Sequence, residues 1–263
     1  MTLLADLVAT SRNVGATAAR LAKVRALAAQ LAAFEPNEIE IGAHYLAGAT
    51  PQGRFGIGYA VLSAATDGPA ADKPTLSLID VDRRLDDIAA MRGTGAASAR
   101  AAALRELFSL ATADEREFLI QLLAGELRQG ALAGVMADAI AAAAKLPPAP
   151  VRRALMYATN IGAVAQAALR DGEQGLASFQ LEVLSPIAPM LAQTAVDPAE
   201  ALQKLGGEAA FEWKMDGARI QVHKSERTVR VYTRNLNDVT AAVPEIVEAV
   251  AELPARDLIL DGE

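Results

Sequence analysis

The spacing of apolar residues changes near Phe179, and this change constrains the fold more than any other feature. From Leu3 to about Phe179 the apolar residues recur at helical spacing, with almost no strict alternation. After Phe179 the alternation that is typical of strands begins and continues towards the C-terminal end. The pattern predicts an all-α region, residues 1–178, followed by an α+β region, residues 179–263.

Local signals place helices in the first region. Thr112-Ala113-Asp114-Glu115 has the form of a capping box, in which the threonine and the glutamate side chains each accept a backbone N–H of the first turn. The apolar stripe that follows it ends before Gly130. Further helices are predicted over 37–46, 57–65, 84–91, 97–110, 131–145 and 151–158.

The second region predicts a small sheet with one covering helix. A sheet that stops at Glu263 leaves an edge unpaired, so this region is expected to be a truncated domain. Strands are predicted at 179–184, around Lys214, and at 220–224, 228–234 and 258–260, with a turn at 225–227 and a helix over 244–253.

Composition narrows the class of protein. The chain has 263 residues, of which 52% are hydrophobic, enough for two cores, and no cysteine that could form disulfides or thiolate metal sites. Neither a secretory leader nor an apolar run long enough for a bilayer is evident. We therefore expect a cytoplasmic protein without a membrane partner.

The net charge of -7 is unevenly distributed. Residues 1–180 carry 17 Lys+Arg against 18 Asp+Glu, whereas the remainder carries 8 against 14. Local basic patches can neutralise phosphates even when the total charge is negative, although such arginines also occur on ordinary solvated helix faces. The candidate patches are Arg83, Arg84, Arg92, Arg100 and Arg105, and Lys145, Arg152 and Arg153.

A single lysine, Lys214, stands in apolar company shortly before an Asp-Gly pair. A lysine attacks only as the neutral amine, which is scarce at neutral pH because its reference pKa is about 10.4. Burial beside Trp213 and nearness to Arg219 are both expected to lower the pKa of Lys214. Asp216 and Gly217 predict a tight turn with room for a ligand. The alternative is an ordinary surface lysine in a hairpin.

The stretch from Phe211 to His223 resembles the nucleotide-binding motif of the covalent nucleotidyltransferases, which include DNA ligases, RNA ligases and mRNA capping enzymes. Tyr232-Thr233-Arg234-Asn235 resembles the second motif of that superfamily, and Leu260-Asp261-Gly262-Glu263 resembles the acidic strand that follows.

The whole chain is similar to bacterial ATP-dependent DNA ligases that have a helical DNA-binding domain before the catalytic domain. The resemblance implies an all-α N-terminal DNA-binding domain, 1–178, followed by a truncated α+β nucleotidyltransferase (adenylation) domain, 179–263. It rests on the motifs above and on Ala9-Thr10-Ser11, Arg20-Leu21-Ala22-Lys23, residues 51–58 and 118–130, Val151-Arg152-Arg153-Ala154 and residues 189–192.

The resemblance also implies a reaction. Lys214 would attack the α-phosphate of ATP and hold the adenylyl group, which then passes to a DNA 5′-phosphate before the 3′-hydroxyl seals the nick. Mg²⁺ would offset phosphate charge. Glu212 would accept the adenine amino group, Arg219 and Arg234 would contact the sugar or phosphates, and Glu263 would engage the ribose or the metal. Asp216 and Gly217 would support the turn, while His223 is expected to be a strand residue.

Two glycine-rich loops precede predicted helices in the first region. Exposed amides at helix starts can receive DNA phosphates without reading bases, although ordinary loop glycines are an equal alternative. The residues expected to contact DNA phosphates are Arg54, Gly56, Gly58, Gly93 and Gly95.

Later motifs and the small OB-type domain of the family are missing from these residues. We therefore expect part of a ligase for nicked double-stranded DNA, monomeric and nucleoid-associated, that seals nothing by itself. Its roles would lie in replication, recombination and repair. The alternatives are a non-catalytic DNA-binding module and an RNA ligase.

Overall fold

The computed structural model describes residues 1–53, 55–127, 133–158, 160–189, 194–211, 213 and 215–263. The chain divides into two compact units, which are described separately below. The first comprises Met1–Leu155 and Asn160–Phe179, and the second comprises Met156–Thr159 and Gln180–Glu263.

Helices form the described secondary structure of the chain up to Phe179, apart from an isolated bridge between Leu3 and Ser77. This agrees with the predicted helical region. The helices are α1 (Leu4–Gly15), α2 (Arg20–Ala33), α3 (Ile39–Leu46), α4 (Tyr59–Ala64), α5 (Leu78–Ala90), α6 (Ala96–Ser109), α7 (Ala113–Ala124), α8 (Ala133–Ala144), α9 (Pro148–Tyr157) and α10 (Ile161–Leu176).

The predicted capping box at the start of α7 is confirmed. Thr112 Oγ1 accepts the backbone N–H of Glu115, and the Glu115 carboxylate accepts the backbone N–H of Thr112 at 2.8 Å. Helix α5 begins earlier than the predicted residue 84, because Ser77 Oγ accepts the Asp80 N–H at 3.0 Å and starts the helix at Leu78. Part of the helix predicted over 131–145 lies outside the described residues.

A buried arginine on α7 joins three segments of the first unit. Arg116 is 9% exposed, and its guanidinium donates to four backbone carbonyls. One carbonyl belongs to Phe108 near the end of α6, and the others belong to Thr66, Gly68 and Pro69 in the loop after α4. This side chain therefore satisfies the polar groups of an irregular loop that would otherwise lack donors.

The second unit contains a three-stranded antiparallel sheet in the order β2-β1-β3. The strands are β1 (Ile220–Ser225), β2 (Thr228–Thr233) and β3 (Asp257–Gly262), and the helices are α11 (Pro198–Lys204) and α12 (Pro244–Ala251). Strands 220–224, 228–234 and 258–260, the turn between the first two, and the helix over 244–253 are thus confirmed, with shifts of at most two residues at their ends.

One face of this sheet packs on α12. Because successive strand residues point to opposite faces, the valines at alternate positions of β1 and β2 share this side. Val222, Val229 and Val231 form a small core with Val250 of α12.

Polar side chains on the other face hold the segment before the sheet. His223 Nδ1 accepts the Leu184 N–H at 3.1 Å, and the Tyr232 hydroxyl donates to the Leu184 carbonyl at 2.6 Å. Gln221 bonds both the N–H and the carbonyl of Ile187. We call these three side chains and their two backbone partners the clasp.

The clasp explains why the predicted strand at 179–184 is wrong. The backbone of Leu184 has φ +71°, in the left-handed region, and its polar groups bond to side chains rather than to a neighbouring strand. Residues 179–184 are therefore not a strand. Within the described residues, no helix has both the length and the apolar character needed to cross a membrane.

Candidate nucleotide and nucleic-acid sites

The segment that contains the predicted nucleophile Lys214, residues 211–219, is described only in part. Lys214 and Glu212 lie outside the described residues, as does Arg54. Trp213, between the first two, is 93% exposed. The predicted burial of Lys214 falls on a residue outside the described ones and stays a prediction, although the Trp213 indole itself is exposed.

The register of the sheet brings residues of three separate motifs to one end. Ile220, at the start of β1, pairs with Thr233 at the end of β2 and with Gly262 at the end of β3. The residues immediately beyond these pairs are Arg219, Arg234 and Glu263. The antiparallel arrangement thus places two arginines and one carboxylate at the same end of the sheet.

Arg219 forms a two-pronged ion pair with a residue that the sequence analysis did not select. Its Nε lies 2.9 Å from Asp261 Oδ1, and its Nη2 lies 2.6 Å from Asp261 Oδ2. These hydrogen bonds raise the pKa of Arg219 and lower the pKa of Asp261, so both groups are charged at neutral pH. Such fork-shaped pairing fixes the plane of a guanidinium. The Leu-Asp-Gly-Glu motif was the available signal for Asp261.

Gly217 connects the turn after the lysine to the end of β3. Its N–H donates to Glu263 Oε1 at 3.1 Å. Asp216 and Gly217 lie in a bend, as the sequence predicts, and Asp216 is exposed. No partner of the Asp216 carboxylate is found in the part of the chain that the structure describes, so its expected role towards the lysine stays a prediction.

The carboxylate of Glu263 at this end suits a divalent cation bound together with phosphates. Mg²⁺ usually takes one or two protein carboxylates and leaves the remaining positions to water and substrate. Glu263 uses Oε1 for Gly217, and its second oxygen has no partner among the described residues. The described ranges contain no group of three or more His, Cys, Asp or Glu residues that could hold a metal by themselves.

Both glycine-rich loops precede helices, as predicted. Gly58 caps α4 and Gly95 caps α6. Gly56, Gly93 and Gly95 have positive φ angles of 63°, 85° and 85°. A Cβ added at any of these four glycines would meet no atom within 4 Å. The backbone is therefore accessible there, and contact with DNA phosphates stays a prediction.

Three of the candidate basic residues have a carboxylate partner, and two of the exposed ones have none among the described residues. Arg83, Arg84 and Arg152 form ion pairs with Asp80, Glu106 and Asp138. By contrast, Arg105 and Arg153 are exposed and have no carboxylate partner within the described ranges. The positive charges of these two arginines are not neutralised by a carboxylate and are available to bind DNA phosphates.

His223 is a strand residue, as predicted, and the sequence analysis missed the clasp around it. Its side chain is fully buried, and this burial lowers its pKa. His223 Nε2 faces Gln221 Oε1 at 3.3 Å, so a neutral ring with its proton on Nε2 satisfies both nitrogens. Gln221 and His223 are polar and alternate with Val222, which is typical of a strand with one solvated face. The sequence pattern therefore did not indicate that these two side chains are buried.

Two family models match this chain. Residues 57–141 match "DNA ligase N terminus", and residues 189–263 match "ATP dependent DNA ligase domain". These matches confirm the family resemblance and the order of a helical region followed by part of an adenylation domain.

The curated relatives point the same way. A "Probable DNA ligase" of Anaeromyxobacter sp. (strain Fw109-5) is 53% identical over 261 residues, which cover 99% of this chain and 50% of the relative. One of Mycolicibacterium gilvum (strain PYR-GCK) is 49% identical, with coverage of 99% and 51%. The chain thus spans about half the length of the curated relatives it matches.

A solved structure, "Pmar-Lig_PreS3", aligns with a TM-score of 0.45 and 16% identity over 98% of this chain and 49% of that one. A similarity at this level adds no argument about the fold or the site.

Proposed function

We propose that this chain, which belongs to the ATP-dependent DNA ligase family, supplies the lysine nucleophile and the DNA-binding region of a nick-sealing enzyme. Because it spans about half of its relatives' length, we propose that the active enzyme is a longer gene product that contains these residues. We call that product the parent polypeptide.

The reaction proceeds through a lysine-bound nucleotide. The Nζ of Lys214 attacks the α-phosphorus of ATP, a P–N bond forms, and pyrophosphate leaves. A 5′-phosphate oxygen at the nick then displaces the lysine nitrogen, which gives an adenylylated DNA end. Finally the 3′-hydroxyl attacks the 5′-phosphorus and AMP leaves. Dividing the reaction in this way replaces one difficult step with easier ones.

The gathering of three motifs at one end of the sheet is the observation that supports this proposal best. Arg219 and Arg234 supply positive charge there for the sugar and phosphates of ATP or DNA. Glu263 engages the ribose or helps to hold Mg²⁺, and Glu212 accepts the adenine amino group. Mg²⁺, when bound, neutralises charge on the phosphates. Asp216 and Gly217 shape the turn between the lysine and Arg219.

The helical region, residues 1–178, holds the duplex in this proposal. Arg54 and the amides of Gly56, Gly58, Gly93 and Gly95 contact phosphates, which positions DNA without reading its sequence. Residues 179–263 form the first part of the adenylation domain. We propose that the protein acts as a monomer at nicks in the cytoplasm, on the nucleoid, during replication, recombination and repair.

A joining assay on the parent polypeptide tests this function. With ATP and Mg²⁺, it is expected to seal a nick in duplex DNA, and Lys214→Ala is expected to abolish sealing. The 263-residue chain by itself is expected to join nothing. Preferential sealing of a nick in duplex RNA would instead favour an RNA ligase. DNA binding without any joining by the parent polypeptide would favour a non-catalytic module.

A further inference from the structure

We propose that Asp261 is a positioning residue that sets the orientation of Arg219 towards the nucleotide. The inference rests on the proposed function, because it concerns how the site would receive ATP. It gives Asp261, for which the sequence analysis predicted no role of its own, a function in the Leu-Asp-Gly-Glu motif.

The geometry of the ion pair leaves one edge of the guanidinium open. A guanidinium has five N–H donors in a rigid planar fork. Arg219 presents Nε and Nη2 to the two oxygens of Asp261, at 2.9 Å and 2.6 Å. The edge formed by Nη1 and the second Nη2 proton has no partner among the described residues. That edge can donate two parallel hydrogen bonds to phosphate oxygens.

Asp261 is the better anchored member of the pair. It lies inside β3, where it pairs with Gln221 of β1 and is flanked by the pairs Leu260 with Val222 and Gly262 with Ile220. Arg219 lies just before β1 and is not paired in the ladder. The backbone hydrogen bonds of the sheet therefore fix the position of Asp261, and the carboxylate of Asp261 fixes the orientation of the Arg219 guanidinium.

This anchoring affects binding more than folding. The side chains of Arg219 and Asp261 are 42% and 55% exposed, and exposed ion pairs contribute little to stability. A free arginine at this exposure samples many rotamers, and ATP would have to order it on binding. Because Asp261 orders it beforehand, the entropy cost of nucleotide binding is smaller.

The test compares variants of the parent polypeptide in single-turnover adenylylation of Lys214 at increasing ATP concentration. Asp261→Ala is expected to raise the ATP concentration for half-maximal rate about tenfold, the scale for losing a hydrogen bond to a charged group. Arg219→Ala is expected to raise it at least as much. The double variant is expected to match Arg219→Ala, because Asp261 acts only through that arginine. Asp261→Asn keeps the shape of the side chain and guards against a folding defect.

Asp257→Ala is the matched control. Asp257 lies on the same strand, and one of its oxygens accepts a hydrogen bond from Ser225 Oγ at 2.6 Å at the opposite end of the β1–β3 ladder. Its removal is expected to leave the ATP dependence unchanged. If Asp261 had only a structural role, Asp261→Ala and Asp257→Ala would have similar effects on the ATP dependence. Both would also lower the fraction of active protein.

The outcomes separate the two proposals. If wild-type protein becomes adenylylated on Lys214 but Asp261→Ala and Asp261→Asn retain its ATP dependence, the positioning role is refuted and the ligase proposal stands. Additive losses in the double variant also refute it. If wild-type protein takes up no AMP, the proposed function falls, and the positioning role falls with it.

Discussion

The N–H of Gly217 donates a hydrogen bond to Glu263 Oε1 at 3.1 Å, which ties the turn after the lysine to the last residue of the acidic motif. Two motifs that are 46 residues apart in sequence thus share one hydrogen bond. Together with the pair of Arg219 and Asp261, it makes the end of the sheet a connected polar site rather than a set of independent side chains.

The first prediction concerns Gly217→Ala in the parent polypeptide. The added Cβ would lie 3.3 Å from Glu263 Cγ, closer than ordinary contact, so the glutamate has to shift slightly, and we expect this shift to weaken its hydrogen bond to residue 217. We expect adenylylation of Lys214 to slow about fivefold, the equivalent of losing one ordinary hydrogen bond. Single-turnover labelling with ATP measures the rate. Gly262→Ala is the control, because its Cβ would meet nothing within 4 Å. Equal rates for both variants would contradict a role for the Gly217 bond.

The second prediction concerns Arg116 and the stability of the first unit. Arg116→Met keeps the apolar stem but removes the donors of four backbone carbonyls. We expect the free energy of unfolding to fall by about 3 kcal/mol or more, because buried acceptors without donors are costly. Urea unfolding followed by circular dichroism at the helix band measures this change.

Arg12→Met provides the comparison for Arg116. Arg12 is half-exposed and forms surface ion pairs with Asp114 and Glu117. Its loss is expected to change stability much less, since exposed pairs contribute little. Similar urea midpoints for the two variants would show that the buried carbonyls find other donors.

The elements that could be predicted from the sequence are those whose local residue pattern is sufficient to determine their structure. The capping box from Thr112 to Glu115 uses only neighbouring atoms, so tertiary structure does not alter it. Strands β1 and β2 were predictable because their valines alternate and a short turn joins them. The positions of Arg219, Arg234 and Glu263 at one end of the sheet follow from the same strand pattern once the register is known.

The failures arise where distant groups replace local pairing. Apolar and polar residues alternate over 179–184 as in a strand. However, the Leu184 N–H donates to His223 and the Leu184 carbonyl accepts from Tyr232, so neither is paired with a neighbouring strand. Trp213 is apolar but 93% exposed, so residue type alone misjudged its surroundings. The sequence around Arg116 gives no sign that this side chain is buried, because only the fold brings four carbonyls to it.

The third prediction concerns pH and the clasp. His223 is buried, and this burial lowers its pKa below the ordinary value of 6.5. The neutral ring therefore contributes stability above the unfolded-state pKa, and this contribution is lost as pH falls through 6.5 towards the lower folded-state pKa. We expect the second unit to unfold at lower urea concentration at pH 5 than at pH 7, as followed by NMR signals of its amides.

His223→Asn separates titration from packing. An asparagine oxygen lies close to the place of Nδ1 and can accept the Leu184 N–H at any pH. Its urea midpoint is expected to vary less between pH 7 and pH 5 than that of the wild-type chain. If both chains lose the same stability on acidification, other groups cause the effect.

The fourth prediction concerns DNA binding by the 263-residue chain. Each phosphate that a cation neutralises contributes about 0.9 to the slope of the logarithm of affinity against the logarithm of salt concentration. Arg153→Gln and Arg105→Gln are each expected to reduce that slope by about this amount for nicked duplex DNA. Arg12→Gln changes the net charge equally but removes an arginine already paired with carboxylates, so it should leave the slope unchanged. Salt-independent binding would contradict the proposed role of the helical region.

The covalent attachment of AMP to Lys214 tests the central claim most directly. The parent polypeptide is incubated with ATP and Mg²⁺ in the absence of DNA, digested, and its peptides are analysed by mass spectrometry. The account predicts one adenylyl group on the peptide that contains Lys214, and none on the corresponding peptide of Lys214→Ala. Adenylylation of another residue, or undiminished labelling of the alanine variant, would contradict it.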